Sequence, residues 1–208
     1  DSGYHAGVAQ TLGNMGIIHF SLGDTRKAIE YYNQALPLWR AAGNRAGEIN
    51  ALVSLGSIHR TLGESQLALD YLHRGAQIAR EVNDRRGEAY ALLFLCRLYI
   101  ELGEYEKALD FSGQALPLFR FLGDRSGEAT ALNQHGVINA FWGAKQKALD
   151  FYSQALSCFQ AVGDRYNGAN TLLNIGKLTE ESGDRQAALD YYNQALTLFR
   201  DFKNNRGE

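Results

Sequence analysis

His19 and His59 stand 40 residues apart. Two imidazoles are the beginning of a metal site or a proton relay. Steps of 40 lead on to Tyr99, Asn139 and Thr179. The spacing therefore belongs to a repeat, and the place reads as a semi-buried helix slot that packs a histidine. His135 stands alone. Cys96 and Cys158 have neither metal-type spacing nor a histidine at a recognised distance. They read as two buried thiols in a reducing compartment, Cys96 as an inert small core residue. The neighbours Glu180 and Glu181 could serve acid–base chemistry, but a solvated helix end accounts for them. The abundant glycines fall between helices rather than after strands, so no phosphate loop is expected. The expectation is a chain that is not an enzyme: no catalytic residue, no cofactor-binding residue, no cofactor and no metal.

Composition narrows the remaining classes. The chain has 208 residues and is 45% hydrophobic, enough to bury a sizeable core. Its net charge is −2 with acids and bases interspersed, which gives no electrostatic footprint for nucleic acid. No apolar run approaches the roughly 20 residues of a membrane span, and no secretory signal is expected. The expected setting is cytoplasmic, with no membrane and no nucleic-acid partner.

What must position these residues is a period. Gly23, Gly63, Gly103, Gly143 and Gly183 hold one phase of 40 without exception. Ala28, Ala68, Ala108, Ala148 and Ala188 hold another, and Leu12, Leu52, Leu92, Leu132 and Leu172 a third. Gly16, Gly56, Gly136 and Gly176 hold a fourth that only Cys96 breaks. Such a period marks a solenoid or array. With no insertion between copies, every loop must have one length. Within residues 123–162, Ala129, Leu132, Gly136 and Asn139, then Ala148, Tyr152, Ala155 and Phe159, recur at helical steps. Each set marks a one-faced helix.

The phrase "GDRSGEATAL" from Gly123 is then punctuation. A left-handed glycine ends one helix, Asp124 caps the next, and Glu128 adds negative charge in its first turn. Asp24 and Asp184 should cap likewise. Gly127, without a side chain, lets a neighbouring helix come close. Arg125, repeated as Arg45, Arg85, Arg165 and Arg206, reads as a column of corner salt bridges on a wet surface. Pro37 and Pro117 fall late in second helices and should kink them without stopping the stack.

These residues resemble the tetratricopeptide repeat family in its 40-residue form. The family's packing slots read Leu12, Met15, Gly16, Ala28, Tyr32 and Ala35 in the first copy. In the fifth they read Leu172, Ile175, Gly176, Ala188, Tyr192 and Ala195. The resemblance covers 1–208 as a single array: copies 3–42, 43–82, 83–122, 123–162 and 163–202, with a stub at 203–208. The phrasing is most similar to the arrays of cyanobacterial and actinobacterial multi-domain regulators. The resemblance implies an all-α, right-handed superhelical solenoid of antiparallel helix pairs, about ten helices in all. The first helix of each pair lines the concave side.

It also implies a concave groove whose positions recur at steps of four, three and four. The first copy places Gln10, Asn14, Ile17 and Ser21 there, and the second Asn50, Ser54, Ser57 and Thr61. The third places Tyr90, Phe94, Arg97 and Glu101, and the fourth Thr130, Gln134, Val137 and Phe141. The fifth contributes Asn170, Asn174, Lys177 and Glu181. Unlike the packing phases, these change from copy to copy. Asparagine in the Asn14 and Asn174 slot suits an extended peptide, because a carboxamide both donates and accepts. Tyr90 and Phe94 could grip an apolar side chain, with Arg97 nearby for an acid. Gly13 and Ile17 stand where a clamp for a chain-terminal carboxylate would need Lys and Asn, so that clamp is not expected.

The expected function is a protein-interaction scaffold that binds a protein or peptide, including another domain of the same polypeptide. One alternative is head-to-tail self-association through the last helix, where Leu196 and Phe199 would lack cover in a fragment of a longer array. Another is a ligand-sensing regulatory arm.

Overall fold

The computed structural model describes residues 2–204. Among the described residues the chain forms ten α-helices and no strand. They are α1 (Ser2–Ser21), α2 (Thr25–Ala41), α3 (Arg45–Thr61), α4 (Ser65–Glu81), α5 (Arg85–Glu101), α6 (Tyr105–Leu122), α7 (Arg125–Phe141), α8 (Lys145–Ala161), α9 (Arg165–Glu180) and α10 (Arg185–Asn204). Odd-numbered helices are the first of each repeated pair and even-numbered helices the second. Arg206 and residues 205–208 of the expected stub lie outside the described residues.

The corners are built as the repeated phrase requires. The glycine between helices has positive φ at all eight such corners, from Gly23 to Gly183, where only a residue without a Cβ is unstrained. The ninth corner uses Asn83 at φ 57, the side chain that best tolerates this region. At the α2–α3 corner Gly43 N–H donates to Arg40 C=O and Asn44 N–H to Trp39 C=O. This double bond pattern closes the helix end. Asn44, Asp84 and Asp124 then accept from the N–H groups of Gly47, Gly87 and Gly127, each at 2.9 Å. Asp24 and Asp184 accept from Lys27 and Ala187. Glu64, Glu104 and Ala144 occupy cap positions without a side-chain cap bond.

The helices fall into two compact units that part between Leu102 and Gly103. In the first, α3 packs against α1, α2, α4 and α5. Its core gathers Tyr32, Leu36 and Trp39 of α2 against Leu52, Leu55 and Ile58 of α3. The Trp39 indole lies between two glycines. A Cβ on Gly13 would stand 2.5 Å from the ring, and one on Gly47 would also collide with it. The glycines of α1 and α3 therefore receive an aromatic ring of α2, not merely a neighbouring backbone.

The second unit repeats the device. Phe119 of α6 lies on Gly127 of α7, and Tyr152 of α8 lies on Gly136. Ala129 and Leu132 pack with Ala155 and Phe159, and Ala169 and Leu172 with Ala195. Phe199 packs against this last cluster, so it does not share the exposure expected for it. Leu196, one turn away, is 45% exposed.

Pro37 and Pro117 lie inside α2 and α6, which continue to Ala41 and Leu122. Cys96 is buried, but Cys158 is only half-buried, against expectation. Its phase of the repeat also carries Leu38, Ile78, Leu118 and Leu198, all half-buried. That phase is the rim of the second helix, where a side chain covers the core from one side only.

Candidate functional site

The residues that suggested chemistry are held as packing. His59 stacks on Tyr71 with ring centroids 5.3 Å apart, and its Nδ1 is bonded to Glu64. His19 stacks on Tyr31 and lies 3.5 Å from Asp24. Both imidazoles thus pair with the carboxylate that opens the following helix. His135 stacks on Phe151, and burial pushes its imidazole below the ordinary value. Glu180 and Glu181 are exposed at the end of α9, where Glu180 accepts from Tyr192 Oη at 2.8 Å. Among the described residues no group of three or more His, Cys, Asp or Glu side chains is placed to hold a metal ion. No described helix is long and apolar enough to cross a membrane.

The corner arginines correct the wet-surface reading. Arg45 is half-exposed, but the Glu48 carboxylate that it holds at 2.8 Å is only 2% exposed. Arg40, from the end of α2, reaches the other oxygen at 2.6 Å. Burial would raise the Glu48 carboxyl, yet the two guanidinium hydrogen bonds outweigh it and hold the group below its ordinary value. Glu128 is held in the same way by Arg120 and Arg125, and Arg80 grips Glu88 at 2.6 Å. These charges staple one repeat to the next. The α8–α9 junction has no such staple, because Gln160 and Gly168 occupy the two phases. There Arg165 turns to Asp201 at 3.8 Å.

On the first unit, α1, α3 and α5 present two adjoining concavities. One of about 190 Å³ lies over Gln10, Asn14 and Asn50, with Trp39 behind. The other, of about 570 Å³, lies among Asn50, Val53, Arg86, Tyr90 and Phe94. Ile17, Ala46, Asn50 and Ser54 line both. The expected groove residues Gln10, Asn14, Asn50, Ser54, Tyr90 and Phe94 therefore meet on one face. Three of them are already engaged. Gln10 donates to Asn14 at 3.0 Å, and Ser54 bonds the Tyr32 phenol, which burial pushes up. Ser57 and Arg97 belong to neither concavity. Arg97 lies one turn beyond Phe94, 3.6 Å from Glu101.

The second unit bears a concavity of about 330 Å³ lined by Val137, Phe141, Asn174 and Lys177. Tyr105 of α6 stacks on Phe141 with centroids 3.6 Å apart. Here Gln134 departs from expectation, since it is buried at 6% exposure. The repeat phase fixes the direction of a side chain but not its depth. Asn14 stays exposed on α1, which has packing partners only in α2 and α3, whereas α7 is hemmed by α6, α8 and α9. Thr130 and Asn170 bond carbonyls of their own helices, those of Ser126 and Tyr166.

Two residues outside the expected set matter. Asn133 Oδ1 accepts from Thr171 at 3.3 Å and Asn174 at 3.4 Å, tying α7 to α9. Its phase holds Gly13, Val53, Leu93 and Leu173 elsewhere, so one polar residue among apolar ones was the available signal. Arg86 lines the larger concavity, and its guanidinium carbon lies 5.9 Å from the Tyr90 ring centroid. It extends the step-of-four series one turn ahead of Tyr90.

With helix pairs, glycine seats and a variable inner face in place, the class is settled. The chain belongs to the tetratricopeptide repeat family. A model of that family matches residues 7–81, 47–120, 87–161 and 146–201. Repeats of this family generally mediate protein–protein interaction and are generally non-catalytic. Solved structures share the fold at low identity. BtubC from P. vanneervenii is 19% identical with a TM-score of 0.80, covering 96% of this chain and 82% of that one. A Rap protein complexed with Competence and Sporulation Factor is 14% identical with a TM-score of 0.82, covering 93% and 54%. A signal transduction ATPase with numerous domains and a tetratricopeptide repeat sensor, from Pyrococcus horikoshii, is 20% identical with a TM-score of 0.80, covering 95% and 30%. The chain thus spans about half of the second protein and under a third of the third. No curated protein matches the chain.

Proposed function

We propose that the inner face of the first unit binds an extended peptide segment of a partner protein, or of another domain of the same polypeptide. One observation carries this reading. The exposed Asn50 lines both concavities, together with Ile17 and Trp39 in one and with Ile17 and Phe94 in the other. An amide among apolar walls is what a peptide offers a use for: its carboxamide matches a backbone unit, and the walls take the side chains. The complex of the Rap protein with its factor, and the sensor role named for the Pyrococcus repeats, support the reading by likeness of fold.

Selection of a random 12-residue peptide display library on the immobilised chain tests it. Enriched peptides should lose about tenfold in affinity against Asn50→Ala and against Phe94→Ala, as expected for a lost hydrogen bond or buried contact. Enrichment that persists unchanged on both variants, or none at all, would remove the first unit's face as the site. The mass of the chain across a concentration series separates peptide capture from self-stacking, which alone makes mass rise with concentration.

A further inference from the structure

Four residues form one stripe along α5: Arg86, Tyr90, Phe94 and Arg97, at steps of four, four and three. Two half-buried aromatic rings thus lie between two exposed guanidinium groups. The acids around the stripe are already committed. Asp84 caps α5, Glu88 is paired with Arg80, and Glu48 with Arg40 and Arg45. Glu101 Oε1 is shared by Arg60 at 2.6 Å and Arg97 at 3.6 Å, so one carboxylate serves two cations. Among the described residues Arg86 has no ion pair, and its guanidinium carbon lies 5.9 Å from the Tyr90 ring centroid. The face therefore sets one guanidinium at each end of an apolar step, with the Asp84 carboxylate in the same concavity as Arg86.

We propose that this face selects peptides in which an apolar residue is flanked on both sides by acidic residues. The apolar side chain sits over Tyr90 and Phe94. One carboxylate reads Arg86 in the planar, charge-assisted geometry that guanidinium favours, and the other reads Arg97. Eleven helical steps separate the arginines along an axis of about 16 Å. An extended chain covers that in about five residues, which sets the spacing of the two acids. The inference rests on the peptide-binding function proposed above and names the class of peptide.

The same display selection, followed by fluorescence anisotropy, tests it. Enriched sequences should carry Asp or Glu on both sides of an apolar residue within about five positions. The amide counterparts of a selected peptide, Asp→Asn and Glu→Gln, should bind about tenfold more weakly to the native chain. Arg86→Gln and Arg97→Gln should each weaken the acidic peptide similarly and leave its amide counterpart within twofold. Enriched sequences that lack acids but still need Phe94 would overturn this selectivity while leaving the peptide site in place. No enrichment at all would overturn both. A single-stranded thymidine oligomer that outcompetes the best acidic peptide would reassign the arginine pair to phosphate and also overturn it.

Discussion

Arg40 Nε donates to Glu48 Oε1 at 2.6 Å, joining the end of α2 to the first turn of α3. The carboxylate is 2% exposed and is completed by Arg45 on its other oxygen. The same pairing recurs as Arg120 with Glu128. Stacking in these units is thus fixed by shape, through rings on glycines, and by a buried carboxylate that needs both arginines.

Removing the carboxylate should weaken the junction. Glu48→Gln is expected to lower unfolding free energy by about 1–3 kcal/mol, the usual range for a charged, partly buried hydrogen-bonded group. The loss is limited because both arginines can return to water. Urea unfolding of the variant against the native chain measures it.

The unstapled junction should accept a staple. A Cβ on Gly168 would meet nothing nearer than 3.8 Å, so Gly168→Ala should gain up to about 1 kcal/mol from helix propensity. Gln160→Arg with Gly168→Glu should exceed that by about 0.5–1 kcal/mol. By contrast Gly136→Ala, whose Cβ would enter the Tyr152 ring, should cost about 1–3 kcal/mol. Thermal melts of the three variants check the order.

Acid should destabilise the fold in two stages. Burial lowers the His135 imidazole from 6.5, so its contribution is present above about pH 6.5 and is lost as pH falls through the folded value. Glu48 and Glu128 lie below 4.5, so their contribution is present above about pH 4.5 and disappears as the medium becomes more acidic still. A series of unfolding curves from pH 8 to pH 3 should show both limbs. His135→Gln should flatten the upper limb and spare the lower.

The two thiols should differ. Cys158 is half-buried and Cys96 buried, so a thiol reagent should modify Cys158 in the native chain and Cys96 only on unfolding. Mass analysis of peptides from the labelled protein distinguishes them. Equal labelling of both without denaturant would contradict the packing of α5.

The fold was legible because stacking leaves a strict record. A position that must accept Trp39 or Tyr152 can only be Gly, so the phases of Gly47 and Gly136 repeat almost without error. The inner face leaves a weaker record. Asn50, Tyr90 and Phe94 are expected on it by resemblance to the family, and the structure gathers them along one concavity. Gln134 was misplaced because its depth depends on helices crowding α7, which no single copy reveals. Asn133 is a lone polar exception in its column, and Arg86 stands in a column that varies from copy to copy (Ala6, Ala46, Ser126, Tyr166), so spacing carries no information about either. The Arg40–Glu48 staple was half-read: the arginine column was visible, but burial of the carboxylate follows from tertiary packing.

Peptide capture by the first unit requires its α1, α3 and α5 face to meet the partner. Backbone amide shifts of the isotope-labelled chain, recorded with and without a selected peptide, locate that face directly. The proposed site predicts changes concentrated at Asn50, Ser54, Tyr90 and Phe94, with α2 and α4 nearly silent. Changes gathered on α2 and α4, or on α10, with the inner face unmoved, would contradict it.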